Sequence, residues 1–426
     1  MTPRHTLASI AALGALSASA ADVTVIKDTT IETITKGRIE HGTLVLRDGK
    51  IVALGPAAST EIPAGADVID GAGNVVTPGF IDTHSHLGVY PWPGVEANSD
   101  GNEATDPVTP QVRAIDSFWH EDPGIDRARA GGITVIQVFP GSANLIGGQS
   151  AVFKLRLHQS AEEMLFREAP RGLKMALGEN PKRVYGDQKK MPSTRMGNIA
   201  LLREWYTKAK AYKQKREAYG KKSKEDQDKE PFAFDAKLDV LADVIEGKVR
   251  PHVHCYRADE ILRLFAVADE VGFKIASLQH AIESYRIAPE IARRGVSVST
   301  WPDWYGFKME AWRQTPWVYR ILLDAGVNAI IKSDSAELVQ HFGVEAGKTL
   351  RYGLSRDEAL RLVTINPAKE LAVEERVGSL EVGKDADVVV WSGDPLSVYA
   401  KVALTFVDGK KVFDREADAE RLRLAR

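Results

Sequence analysis

Two histidines one residue apart, His84 and His86 in "PGFIDTHSHLGVY", close an apolar run in a chain of 426 residues that holds ten histidines. In an extended strand, residues i and i+2 share a face, so both imidazoles would offer a nitrogen lone pair to one side. That arrangement suits a divalent metal ion, but a hydrogen-bonded histidine pair in a core has the same spacing. Four more residues of ligand type tip the balance, each at or near the end of a strand-like run. Glu179 closes "LKMALGE", His254 lies in "RPHVHCY", His280 closes "FKIASLQH" and Asp334 lies in "NAIIKSDS". A buried histidine needs one hydrogen-bond partner. Four imidazoles and two carboxylates at the same ends of neighbouring strands need a different explanation, and metal binding supplies it.

The elements that must gather them are legible as eight strand-like runs: 80–86, 132–140, 150–156, 173–179, 250–256, 273–280, 295–301 and 328–335. Amphipathic helical patterns lie between them, several ending in Gly. Apolar strands alternating with helices predict an α/β fold with a parallel sheet. Eight of them are the number of a (β/α)8 TIM barrel, whose active site lies where the C-terminal strand ends meet. The flanks differ. "GTLVLRDGKIVALG" and "ALTFVDGKKVFD" are hairpins turning at Asp-Gly, and "GKDADVVVWSGDP" adds a third β-rich piece. Neither flank is large enough to bury a sheet comfortably by itself, so one small β-sandwich built from both chain ends is expected. The boundaries are 21–77 for its N-terminal part, 78–366 for the barrel and 367–426 for its C-terminal part and tail. A Lys-rich insertion over 203–231 reads as a solvated helix resting its aromatic side (Trp205, Tyr212, Tyr219) on the barrel.

Residues 1–20 have a charged, apolar, then small-residue order ending Ala-Ser-Ala, which predicts a cleavable signal peptide, a mature start at Ala21 and a periplasmic location. No further segment is long and apolar enough to span a bilayer. A formal charge of −2 and the lack of a strong basic tract argue against nucleic acid as a partner. A small-molecule substrate is the expected partner, and a homo-oligomer is left open. Cys255 is the single cysteine, so no internal disulfide can form.

The segments "TPGFIDTHSH", "HVHCYRADEI", "LQHAIES", "IKSDS" and "NPAKELAVEERVGSLEVGKDADVVVW" resemble the amidohydrolase superfamily, in its imidazolonepropionase-like and prolidase-like branch. The similarity runs from about residue 22 to 414. It implies metal-dependent hydrolysis of a C–N bond in an amide, dipeptide or cyclic amide. Ester or lactone cleavage on the same site, or an inactive binding protein of the same fold, are the alternatives. It implies two divalent ions, with zinc suited to His and carboxylate ligands. His84, His86 and Asp334 would hold one ion and His254 and His280 the other, with a carboxylate from the fourth strand bridging them. Asp334 would also take the proton of the attacking water as general base. An alternative role for Asp334 is a helix cap, since "SDSAE" also reads as a helix start. Many relatives bridge with a carboxylated lysine. Here Glu179, already an anion at the expected strand end, is preferred, and Lys174 is the alternative bridge.

Four residues are substrate-binding candidates by position: Gln149 in the "IGGQ" turn, Tyr256 and Arg257 after His254, and His341 after the last strand. His252 reads as core or as support for His254, and Asp385 and Asp387 as strand entry. The aromatic loops 87–110 and 301–312 suggest a partly apolar ligand.

Overall fold

The protein is described by a computed structural model covering residues 23–157 and 160–424. The expected signal peptide, and the mature start at Ala21, lie outside the described residues. Among the described residues, no helix is long and apolar enough to cross a membrane.

The N-terminal flank supplies β1 (Val23–Glu32), β2 (Arg38–Arg47), β3 (Lys50–Pro56), β4 (Asp67–Asp70) and β5 (Val75–Pro78). The barrel follows with β6 (Phe80–Ser85), β7 (Ile133–Val138), β8 (Ile146–Lys154) and β9 (Arg171–Ala176). It continues through β10 (Val249–Cys255), β11 (Ser277–His280), β12 (Ser297–Thr300) and β13 (Ala329–Ile331). These eight strands are hydrogen-bonded in sequence order, and each overlaps one of the runs read from the sequence. Their side chains are almost wholly buried, which is why they read as unbroken apolar runs rather than alternating ones.

One strand departs from the all-parallel expectation. β8 runs antiparallel to both β7 and β9. The connection from β7 to β8 spans only residues 139–145, too few for the helical crossover that a parallel neighbour requires. The barrel closes between β13 and β6 through the segment after β13: Asp334 N donates to the His84 carbonyl at 2.9 Å and Ser333 N to Asp82 Oδ1 at 3.0 Å. Ser333 Oγ adds a short hydrogen bond to the same Asp82 carboxylate.

β14 (Val388–Trp391), β15 (Val402–Val407) and β16 (Lys410–Asp414) return to the first five strands. The sheet order is β16-β15-β14-β5-β1-β2-β3, with β4 added on β1. It has its own buried cluster, including Ile26, Leu44, Val76, Val388 and Phe406. Asp385 and Asp387, at the entry to β14, meet Lys154 at the end of β8. The buried Nζ lies 2.7 Å from Asp385, 3.1 Å from Asp387 and 2.5 Å from Asp408. Lys50 and Arg376 pair with Asp385 as well.

The Lys-rich stretch lies mostly in the helix Arg195–Gly220, opened by Thr194, whose side chain accepts from Gly197 N. Its buried face carries Leu202, Tyr206 and Ala209, spaced by four and three residues. Tyr206, which the seven-residue stripe omits, stacks on Phe273 at 4.2 Å. Of the stripe itself, Tyr212 and Tyr219 pack on Phe232 in the segment that follows the helix.

Candidate metal centre

His84 lies in β6 and His86 just beyond it, His254 near the end of β10 and His280 at the last residue of β11. Asp334 stands three residues after β13. The backbone turns sharply at two of these positions, with φ of +70° at His280 and +56° at Asp334. Left-handed backbone at non-glycine residues is uncommon and concentrates at functional sites. The Asp334 Oδ1 atom lies 3.6 Å from His84 Nε2 and 3.1 Å from His86 Nε2, and its Oδ2 lies 3.7 Å from His280 Nδ1. His84, His280 and Asp334 offer ligand atoms within 4.8 Å of one another. The helix-cap alternative for Asp334 is not what the chain uses there: Ser335 Oγ accepts from the Glu337 and Leu338 amides.

The outer ring nitrogens fix how two imidazoles face the site. Gln279 donates its amide NH2 to Glu370 at 2.9 Å, which turns its oxygen toward His84. His84 Nδ1 donates to that oxygen at 2.8 Å, and His86 Nδ1 donates to the Phe139 carbonyl at 2.9 Å. Both leave Nε2 as a lone pair aimed at Asp334, the arrangement in which metal-binding histidines are held. On the other side, His254 Nδ1 meets Ser142 Oγ at 3.0 Å and His280 Nδ1 meets Lys332 Nζ at 2.7 Å. The Nε2 atoms of His254 and His280 are buried and have no hydrogen-bond partner. An orphaned buried ring nitrogen costs free energy unless something unseen occupies it. Burial holds His84, His254 and His280 well below the ordinary imidazole range, so they are neutral and able to ligate. Asp334 goes the other way. Burial pushes its carboxyl up, but Lys332 and His84 outweigh it and keep the group ionised. These donors fit a divalent cation in type and placement.

The two bridge candidates lie in different places. β9 ends at Ala176, and Glu179 begins the helix Glu179–Asp187 after a left-handed turn at Gly178. Its side chain is a third exposed and its carboxylate lies 3.4 Å from Lys308 at the rim. Lys174, inside β9 and fully buried, puts Nζ 3.2 Å from His84 Nε2. Burial lowers its ammonium to about 8. The structure brings Lys174 to the histidines, and not Glu179.

Of the four substrate-binding candidates, one joins the site. Tyr256 stacks on the His280 ring at 5.3 Å and meets His254 edge-on at 5.0 Å. Gln149 is tied to the Pro110 carbonyl and to Arg171. Arg257 forms a two-bond pair with Asp259 and lines a separate cavity with Glu283, Arg286 and Arg313. His341 is exposed at the end of the turn Leu338–His341, which packs on the helix Pro123–Ala130. His252 is core, bonded to Ser277 Oγ at 2.8 Å. Buried Cys255 has its thiol pushed well up by burial and does not act as a nucleophile here. Reasoning from the sequence missed Lys332, which lies 3.3 Å from Asp334 Oδ2 and 3.3 Å above the Trp301 ring. The signal was available: a lysine inside the apolar run 328–335, two residues before a ligand candidate, which extended spacing puts on its face.

A profile of the Amidohydrolase family matches residues 248–412. The amidohydrolase TasK of Hapsidospora irregularis is 34% identical over 88% of this chain, which spans 39% of that relative's length. The imidazolonepropionase of Sphingopyxis alaskensis is 25% identical, over 86% of this chain and 90% of that protein. Among solved structures, an amidohydrolase from Thermotoga maritima superposes with a TM-score of 0.86 at 38% identity, covering 92% of this chain and all of that one. A prolidase solved with N-methylphosphonate-L-proline shares the fold, with a TM-score of 0.56 at 18% identity. The chain belongs to the amidohydrolase family, hydrolases of carbon–nitrogen bonds that work with divalent metal.

Proposed function

We propose that the protein hydrolyses the C–N bond of a small amide, N-acyl amino acid or dipeptide at a two-ion zinc centre. The observation that carries this reading is the pair of orphaned Nε2 atoms on His254 and His280, whose rings lie 4.3 Å apart, with the His280 ring 4.9 Å from that of His84 in the His84–His280–Asp334 group. His84, His86 and Asp334 would hold one ion and His254 and His280 the second. Lys174 would bridge them as a carbamate: its neutral amine attacks carbon dioxide, forms an N–C bond and releases one proton. When bound, the ions make water acidic enough to attack near neutral pH and polarise the carbonyl under attack. Asp334 takes the proton of the attacking water and passes it to the leaving nitrogen. Tyr256, stacked over His280 and edge-on to His254, would flank the second ion's ligands.

The test is zinc reconstitution followed by a panel of dipeptides, N-acyl amino acids, imidazolones, esters and lactones. We expect about two ions per chain by elemental analysis and turnover of a C–N substrate. Lys174→Ala should cost at least one ion, whereas Glu179→Gln should cost none. Under half an ion per wild-type chain, or turnover confined to esters and lactones, overturns the reading.

A further inference from the structure

The segment between β12 and the helix Val318–Asp324 carries aromatic rings outward from the metal centre. Trp301 lies 5.0 Å from the His280 ring, Trp304 stacks on Trp301 at 5.3 Å, and Phe307 meets Tyr256 at 6.4 Å. Trp304 and Phe307 are substantially exposed. Lys308 follows, with Nζ 4.1 Å above the Tyr256 ring. A cation and a set of apolar rings therefore face one approach to the histidines.

The charges around Lys308 leave it poorly paired. Arg195 takes Glu260 and Glu310 in short ion pairs, and Glu310 also accepts from Glu179 N at 2.9 Å. Lys308 reaches Glu179 at 3.4 Å, Asn180 at 3.4 Å and Glu310 at 3.8 Å. All three distances exceed those of a good charge-assisted hydrogen bond, about 2.7–2.9 Å. Its side chain is 18% exposed, enough for a ligand to reach and too little for full hydration. An ammonium in that position gains by closing on an incoming anion.

We propose that Lys308 is a specificity-determining residue that pairs with a carboxylate on the substrate while an apolar group lies against Trp304 and Phe307. The inference rests on the amide-hydrolase reading above and narrows it to N-acylated apolar amino acids with a free carboxylate. A ligand without a scissile bond separates the two. Hydrocinnamate and its methyl ketone isostere are compared by calorimetry on zinc-reconstituted wild type, Lys308→Met and Lys308→Arg, each checked for metal content. Wild type should bind the carboxylate about tenfold tighter or more, as expected for a charge-assisted pair. Lys308→Met should lose that ratio and Lys308→Arg should keep most of it. A ratio undiminished in Lys308→Met places the anion on the metal ions and overturns the assignment, as does a wild type that binds both ligands alike. Because binding is read without turnover, a protein that shows the ratio and its loss yet cleaves no amide fails the hydrolase reading alone.

Discussion

At Asp334, one carboxylate faces two sets of partners, Oδ1 toward His84 and His86, Oδ2 toward His280 and Lys332. Asp334→Asn keeps the size and one oxygen but removes the proton acceptor. It should fold, retain the ion held by His254 and His280, and turn over roughly 10²- to 10⁴-fold more slowly, the usual loss for a general base. Near-normal turnover by a folded, metal-loaded variant would move the base elsewhere. That five of the six candidates lie together was legible in the sequence because apolar runs stop where parallel strands reach the barrel mouth. Glu179 misled because "LKMALGE" stays apolar for two residues beyond the last paired one, Ala176, and the turn that breaks the strand is hidden at Gly178. A Cβ at Gly178 would lie 2.7 Å from the Glu310 carboxylate, a contact no reading of one sequence reveals.

At the scale of elements, β8 is the informative strand. Its existence was legible and its direction was not, because direction depends on the length of the connection, which the sequence blurs by a few residues at each end. Running antiparallel, it delivers Lys154 to the end of the barrel that meets the small sheet, among Asp385, Asp387 and Asp408. Removing the lysine leaves buried carboxylates without their shared cation. Lys154→Met should therefore lower unfolding stability by about 3–5 kcal/mol, the range for breaking a buried ion pair from one side. Urea denaturation measures it, and a loss under about 1 kcal/mol, the scale of an exposed pair, would show that Lys50 and Arg376 suffice.

At the scale of the whole molecule, the same junction sets a limit in acid. Burial pushes the Asp385 carboxyl up, but Lys154, Arg376 and Lys50 win and hold it at about 2, below its ordinary 3.8. A carboxyl lowered by folding stabilises the folded state above its unfolded pKa, and that contribution is lost as pH falls through the folded value. Stability should decline from about pH 4 toward pH 2, and Asp385→Asn should flatten part of that slope. Denaturation midpoints measured across the range check it; an unchanged slope in the variant would exclude Asp385 as a source. That both flanks contribute to one sheet was legible from the two Asp-Gly hairpins. The strand order, with β14 between β5 and β15, was not, because pairing partners far apart in sequence leave no local pattern.

That strand order has a consequence for how the chain folds. Val388 pairs with Pro78 and Trp391 with Val75, so the edge of β5 has to wait for residues synthesised long after it. Contacts of such high sequence separation form slowly, and an unpaired strand edge is a template for another chain's strand. A nascent chain whose barrel strands have already assembled would still present Val75–Pro78 bare, open to a neighbour's strand until its own arrives.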